Sequence, residues 1–542
     1  MPKFVFVTGG VLSSLGKGIL SASISRLLRS RGINANNMKI DPYLNCDAGT
    51  LNPFEHGECF VTRDGFECDL DLGNYERFLD IYAKREQNLM MGAAFKQVID
   101  QERHGDFLGK TIQLIPHLTN EIKRRIKDAA SATKCDVLVI EIGGTVGDYE
   151  SEMVFEAARQ MHNAEGPGNV MFVHIALVPT IITGEMKTKP LQHSVRELLA
   201  RGILPDILVG RGTKPISKEL KEKIALFCNV TPQDVFSSPD LSDIYELPIV
   251  LKQQGLDERL AEKMGLKLSN EDMKELSALI EKMQALAEGK ERVKIAVVGK
   301  YAFSNDAYAS VFESLLHAGV ANNVAVDAKL FDSEQLEKKS KKEVEETLSA
   351  FDGIIVPGGF GSRGVEGKIS AIQFARENNK PYLGLCFGMQ LAVIETARNV
   401  LGWKDANSTE IDEKTGHPVI YIMPEQHGVS DLGGTLRLGG KKTVVEKGTV
   451  AHKLYGTDEV IKRHRHRYEV NPKHIAELEK SGMAFSGKSE DGRRMEILEM
   501  PGHPFFMGTQ YHPEFDSRLG SPEPLFFGLV KAASEQKKNQ AQ

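Results

Sequence analysis

Short, mostly apolar runs recur through the first half of the chain: Phe4 to Val7, Met38 to Asp41, Val137 to Ile140, Met171 to Val178 and Ile207 to Val209. Helical stretches such as Ile19 to Arg31 separate them. Strands buried on both faces read as continuous apolar runs, so the pattern predicts a parallel sheet covered by helices on both sides. Near residue 268 the texture changes. Ser269-Asn270-Glu271-Asp272 reads as a helix-capping signal, Leu276, Leu279, Ile280, Met283 and Leu286 then share one helical face, and Gly289 stops it. A second alternating series starts at Lys294 to Gly299 and continues through Gly353 to Val356 and Tyr382 to Leu385. The expected class is α/β, with two doubly wound, mainly parallel-sheet domains. Their expected bounds are 1–267, a linker helix over 268–291, and 292–535, with a polar tail over 536–542 expected to fray.

Composition narrows the function classes. The chain has 542 residues, and 68 Lys+Arg against 74 Asp+Glu give a net charge of −6. That balance argues against a general nucleic-acid-binding surface, which carries a basic excess. Hydrophobic residues at 41% and charged residues at 26% are ordinary for a globular protein and exclude a disordered or collagen-like chain. No run reaches the roughly 18 apolar residues of a membrane span. Met1 to Val7 breaks into Gly9-Gly10 before a signal-peptide core can form, so a cytoplasmic protein with no membrane partner is expected. The six cysteines form no C-x-x-C pair and predict neither a disulfide framework nor a zinc site. Cys46, Cys59, Cys68, Cys135 and Cys228 read as small buried hydrophobes.

The stretch Thr8 to Ile19 lies between the first strand and the first helix. Its glycines let backbone N–H groups approach phosphate oxygens, the helix N-terminus adds positive dipole, and Lys17 supplies a cation. Gly18 stands where Ser or Thr normally ligates magnesium. Carboxylates must then hold the ion, and the candidates are Asp69 and Asp71, expected on one strand face, and Glu141, which ends an apolar strand. Lys187 to Ser194 is a charged loop or a holder of a second polyphosphate. Arg463 to Arg467 alternates Arg and His onto opposite strand faces, which fits a carboxylate-binding or interdomain strand.

In the second half, Cys386 between Gly384 and Gly388 follows a strand and precedes a helix, the pattern of a nucleophile elbow. Helix dipole and a neighbouring base would turn its thiol into a thiolate. His512 can take and return the proton, Glu514 can orient the imidazole, and Gly358 to Gly361 can present N–H groups as an oxyanion hole.

Together the halves resemble the CTP synthase family of glutamine-dependent ligases. The N-terminal likeness runs through Thr8 to Ile19, Lys39 to Tyr43, Asp69 to Gly73, Glu141 to Asp148 and Lys187 to Ser194. The C-terminal likeness, through Pro357 to Gly361, Gly384 to Gln390 and His512 to Glu514, is to class I glutamine amidotransferase domains. The resemblance implies a P-loop-like first domain and a flavodoxin-like second one, with ATP phosphorylating UTP at O4 and ammonia from glutamine displacing phosphate to give CTP. It implies ATP contacts at Ser14, Leu15, Gly16, Lys17, Gly18, Ile19, Asp71, Pro239, Asp240 and Leu241, and Mg2+ on Asp71 and Glu141. UTP and CTP contacts fall on Ser13, Lys187, Thr188, Lys189, Pro190, Leu191, Gln192 and Lys223, and inhibitory CTP contacts on Asp148, Tyr149 and Glu150. Glutamine contacts fall on Gly359, Phe387, Gly388, Met389, Gln390, Glu410 and Arg467. GTP activation and a homotetramer are further implications. Pro424 to Asp431 is shorter than in some relatives. A cobyrinic-acid amidase is the nearest rival, without the lysine-rich second polyphosphate pocket.

Overall fold

The computed structural model describes residues 1–270, 272–301, 305–426, 428 and 433–541, the side chain of Ala541 excepted. The chain folds as two compact units. Met1–Asp47 with Asp71–Ile280 forms the first, and Ala48–Leu70 with Glu281–Gln542 forms the second. The expectation of one contiguous N-terminal domain over 1–267 therefore differs from the structure at 48–70. The expected linker helix forms as Lys274–Glu288, and the boundary between the units falls within it.

A seven-stranded sheet, parallel throughout, organises the first unit. Its spatial order is Asn88–Met90, Ala35–Asp41, Val137–Ile142, Lys3–Gly10, Val170–Leu177, Ile207–Gly212 and Val235–Pro239. The central strands are buried on both faces, which is why they read as unbroken apolar runs. Phe6 and Phe172 stack across two of them at 5.6 Å. Lys3–Gly10 lies near the middle, so its carboxyl end opens where parallel sheets place ligands.

The second unit holds a nine-stranded mixed sheet. Ala325–Asp332, Arg292–Gly299, Gly353–Val356, Tyr382–Leu385 and Phe506–Thr509 run parallel. Met495–Glu499, Ala484–Ser489, Arg437–Val445 and Glu459–His466 continue it antiparallel. Among the described residues, no helix is long and apolar enough to cross a membrane.

Several local expectations change. Asp69 and Asp71 do not share a strand. Asp71 opens the helix Asp71–Leu79, where its carboxylate suits the positive N-terminal dipole. Ser269 caps no helix, because its backbone N–H donates to Arg31 O and helical geometry begins only at Lys274. Glu271 of that signal, like His427 and residues 429–431 of the Pro424 to Asp431 stretch, lies outside the described residues. The polar tail is helical through its described residues. Residues 536–541 continue the helix Pro524–Ala541, held by Gln536 donating to Asn379 O and Lys537 pairing with Asp352 at 3.1 Å. Cys46 is exposed and Cys59 half-buried, so only Cys68, Cys135 and Cys228 are core thiols among the five.

Candidate functional site

In the first unit, the chain leaves Lys3–Gly10, bends through positive φ at Val11 (81°) and Ser14 (57°), and enters the helix Lys17–Ser30 from Gly16 (87°). Ser13 and Ser14 are exposed, Leu15 is buried, and Ile19 is half-buried. Lys17 is folded back and donates to Gly144 O at 2.7 Å. Burial pushes its ammonium below the usual lysine range, against the pull of Glu141, while the nearby Lys39 pushes it down further.

Beneath this loop lies a charged cluster from three elements. Lys39 Nζ pairs with Glu141 Oε1 at 2.9 Å and more closely with Asp71 Oδ2. Tyr75 donates its hydroxyl to Glu141 Oε2 at 2.5 Å. Burial, and then the Asp71 charge, raise the Glu141 carboxyl, while Lys39 and Lys17 oppose them. Gly18 touches the cluster: a Cβ there would stand 2.0 Å from Asp71 Oδ1 and 3.3 Å from Glu141 Oε2. The absent side chain at Gly18 thus leaves room for carboxylates where a hydroxyl ligand usually stands. Two converging carboxylates fit Mg2+, which usually takes its remaining ligands from phosphate and water. Lys39 was visible in the sequence motif, but its place between both acids was not.

The second polyphosphate candidate is only partly a loop. Thr188 precedes the helix Lys189–Ala200, with Pro190 in its first turn. Lys187 pairs with Glu185 at 2.6 Å, Lys189 lies 5.4 Å above the Phe227 ring, and Lys223 is exposed. Gln192 donates to Thr188 Oγ1 at 3.0 Å, and its buried Oε1 has no partner among the described residues. Leu191 is wholly buried and supports the helix rather than facing a ligand. Asp148 accepts from the Thr145 N–H at 2.7 Å, while Tyr149 and Glu150 stand exposed. Asp240, between Pro239 and Leu241, pairs with Arg211 at 2.6 Å.

In the second unit, three neighbouring parallel strands deliver the chemistry from their carboxyl ends. Gly353–Val356 leads to the glycine loop, Tyr382–Leu385 to Cys386, and Phe506–Thr509 to His512. Cys386 holds φ 51° and ψ −99°, a strained turn just before the helix Phe387–Asn399. Close approach demands the flanking glycine: a Cβ on Gly388 would stand 2.0 Å from Val356 O. The thiol points at Arg465 O (3.7 Å), and Gln510 Nε2 donates to its sulfur at 3.6 Å. His512 Nδ1 meets Glu514 Oε1 at 2.7 Å. Burial works against the imidazolium, yet Glu514 and Cys386 outweigh it and raise His512 to about 10. A nucleophile, a base and an orienting acid thus surround one cleft of about 80 Å³, which Pro357, Gly358 and Gly359 also line.

Around it, Glu410 accepts from the Gly361 N–H at 2.7 Å, and Arg467 donates to Thr435 Oγ1 at 2.9 Å. Met389 and Gln390 are buried, Gln390 donating to Tyr468 O, so both support the elbow from within. Arg and His do take opposite faces of Glu459–His466. Arg463 pairs with Asp516 at 3.1 Å and Arg465 with Glu67 at 2.8 Å, whereas His464 and His466 face Arg437. Sequence reasoning missed Lys368. It is wholly buried, donates to Pro357 O at 3.4 Å and lies behind Gly359; burial first, then Lys300, lower it to about 7. Only its place inside an apolar helix face could have signalled it.

Residues 3–266 match the family model described as CTP synthase N-terminus, and residues 304–532 match that of glutamine amidotransferase class-I. The chain is 51% identical to a CTP synthase of Archaeoglobus fulgidus over 98% of both chains. It is 52% identical to one of Pyrococcus abyssi over 99% of both. Among solved structures, the glutaminase domain of Trypanosoma brucei CTPS with bound acivicin is 42% identical, covering 45% of this chain and 94% of that one, with a TM-score of 0.43. The chain belongs to the CTP synthase family.

Proposed function

We propose that the protein makes CTP by ATP-dependent amination of UTP, using ammonia that its second unit releases from glutamine. The observation that carries this reading is the pairing, on one chain, of a phosphate loop over the Lys39–Asp71–Glu141 cluster with a Cys386–His512–Glu514 elbow. ATP lies along Ser14 to Ile19, with Lys17 on its phosphates and Pro239 to Leu241 toward its base. Mg2+ on Asp71 and Glu141 supplies charge neutralisation for the phosphates when bound. Lys187 to Gln192, with Ser13 and Lys223, holds the UTP triphosphate. Transfer of the γ-phosphoryl group to the uracil 4-oxygen makes phosphate the leaving group, and ammonia displaces it.

In the second unit His512, oriented by Glu514, takes the proton of the Cys386 thiol. The sulfur attacks the glutamine amide carbon, N–H groups of the Gly359 loop receive the oxyanion, and His512 gives its proton to the amide nitrogen, which leaves as ammonia when the C–N bond breaks. Water, activated by the same imidazole, then hydrolyses the thioester. Glu410 and Arg467 orient the amino acid, Arg467 through its α-carboxylate. The same family reading carries GTP activation, CTP inhibition, a homotetramer and a cytoplasmic location.

The deciding experiment follows CTP formation from ATP and UTP with glutamine or ammonium as donor. Cys386→Ala is expected to abolish the glutamine route and keep the ammonium route. Lys17→Ala is expected to stop both, since losing one phosphate cation removes several kcal/mol of stabilisation and each ~1.4 kcal/mol is tenfold in rate. Failure of ammonium to rescue folded Cys386→Ala overturns the division of labour.

A further inference from the structure

His174 lies in the strand Val170–Leu177, directly opposite Thr8 in register, and is wholly buried. Its Nδ1 meets Thr8 Oγ1 at 2.8 Å and its Nε2 meets Ser194 Oγ at 2.8 Å. Thr8 belongs to the strand that feeds the phosphate loop. Ser194 belongs to Lys189–Ala200, whose first turn carries Lys189 to Gln192. A Cβ on Gly10 would stand 1.6 Å from Ser194 Oγ, so the helix rests directly against the chain entering the loop. All three polar side chains are buried, Ser194 at 4% exposure the least.

An apolar residue would fill this space without directional demands, since a buried polar chain is costly unless every bond is made. What the relay adds is orientation. Burial, reinforced by the Lys17 charge, lowers His174 to about 3, so the ring is neutral at working pH, with one nitrogen donating and the other accepting. It has no proton to trade. It works as a rigid spacer between two hydroxyls.

We propose that His174 is a positioning residue that holds the helix carrying Lys189 to Gln192 in register with the phosphate loop, so that the two nucleotides meet at reacting distance. The proposal rests on reading Lys187 to Gln192 as the UTP site. Phosphoryl transfer needs its reacting atoms aligned at roughly 3–3.5 Å, and a misplacement of about 1 Å can cost about a hundredfold.

The test measures ammonium-dependent CTP formation across a grid of ATP and UTP concentrations, with melting temperature and glutamine hydrolysis on the same preparations. His174→Asn keeps a polar atom toward Thr8 but falls short of Ser194, and His174→Gln reaches toward Ser194. Ser194→Ala removes the helix end of the relay with little risk to folding. We expect His174→Asn and Ser194→Ala to lower kcat about tenfold or more and to raise the UTP half-saturation. Their ATP and UTP dependences are expected to uncouple, with glutamine hydrolysis unchanged. His174→Gln is expected to recover part of the UTP dependence. Should His174→Asn fail to fold, Ser194→Ala decides. Wild-type kcat and UTP dependence in folded Ser194→Ala overturn the proposal. So does a fall in kcat that tracks melting temperature alone with the nucleotide coupling intact. A wild-type protein that forms no CTP from UTP overturns instead the functional reading beneath it.

Discussion

Lys368 places an amine in the core of the second unit, behind the glycine loop and 5.4 Å from the Phe387 ring. Its pKa falls from the ordinary 10.5 to about 7 on folding, chiefly through burial. Above 10.5 both folded and unfolded chains carry it neutral, and it costs nothing. Between 10.5 and 7 the unfolded chain binds the proton and the folded chain does not, so stability falls as pH falls. Below 7 the whole penalty is present. Lys368→Met, which keeps the stem and removes the charge, is therefore expected to raise the melting temperature, by more at pH 7 than at pH 10. A difference between the two proteins that does not depend on pH would contradict this account. Glu150 carries a separate expectation. It is exposed and belongs to the turn Tyr149–Ser151 before the helix Glu152–Glu165. If it binds the sugar hydroxyls of inhibitory CTP, Glu150→Ala weakens CTP inhibition by about tenfold, a hydrogen bond to a charged group being worth roughly 1.5–3 kcal/mol. The UTP half-saturation should move little, and an equal shift in both constants would point to a structural role. Cys386 and His512 could be read from sequence because local spacing announces an elbow and a His-x-Glu pair. The pairings of His174 with Thr8 and of Lys39 with Glu141 could not, because those partners lie 166 and 102 residues away.

At the scale of elements, both sites depend on a strand end meeting a helix start at very short range, and glycine permits the approach. At Gly388 the obstacle to a side chain is the Val356 carbonyl, which is backbone and cannot swing aside. Gly388→Ala is expected to push the helix Phe387–Asn399 off the strand Gly353–Val356, costing roughly 1–3 kcal/mol and abolishing glutamine hydrolysis, with ammonium-dependent synthesis retained. Normal glutamine hydrolysis would mean the elbow tolerates the displacement. The central parallel strands were legible because burial on both faces demands unbroken apolar runs. Asn88–Met90 and Val235–Pro239 were not. They are sheet edges, one only 3 residues long and the other ending in Ser-Ser-Pro, and edge strands are freer of the apolar requirement. Of the antiparallel half of the second sheet, the sequence showed only the alternating Arg463 to Arg467 stretch as a strand. Glycines and charged residues interrupt Arg437–Val445, so no clean period emerges there.

At the scale of the whole molecule, the path of the chain matters. It leaves the first unit after Asp47, gives Ala48–Leu70 to the second, and returns at Asp71, an acid of the phosphate cluster. Sequence reasoning placed this segment in the first domain because its pattern says which residues are apolar, not which core receives them. Phe60 and Val61 are wholly buried, Phe60 packing 4.8 Å from Phe515. An ion pair adds to this packing. Glu67, whose side chain is 1% exposed, accepts from Arg465 Nε at 2.8 Å and from the Gly434 N–H at 3.0 Å. Arg465 also donates to Gly49 O at 3.1 Å, and its own carbonyl receives the Cys386 thiol. Removing one partner of a buried ion pair leaves the other uncompensated and costs about 3–5 kcal/mol, more than replacing the pair would. Glu67→Gln keeps the shape and removes the charge. It is expected to lower the melting transition of the second unit and, by loosening Arg465 beneath the thiol, to reduce glutamine hydrolysis. Ammonium-dependent synthesis, whose proposed residues all lie in the first unit, should persist near its original rate. Were Glu67→Gln to lose both routes equally with melting unchanged, the segment would act on the phosphate cluster through the chain at Asp71 rather than through Arg465. Unchanged melting and unchanged glutamine hydrolysis together would show that Gly49 O and the aromatic packing hold the segment without the carboxylate.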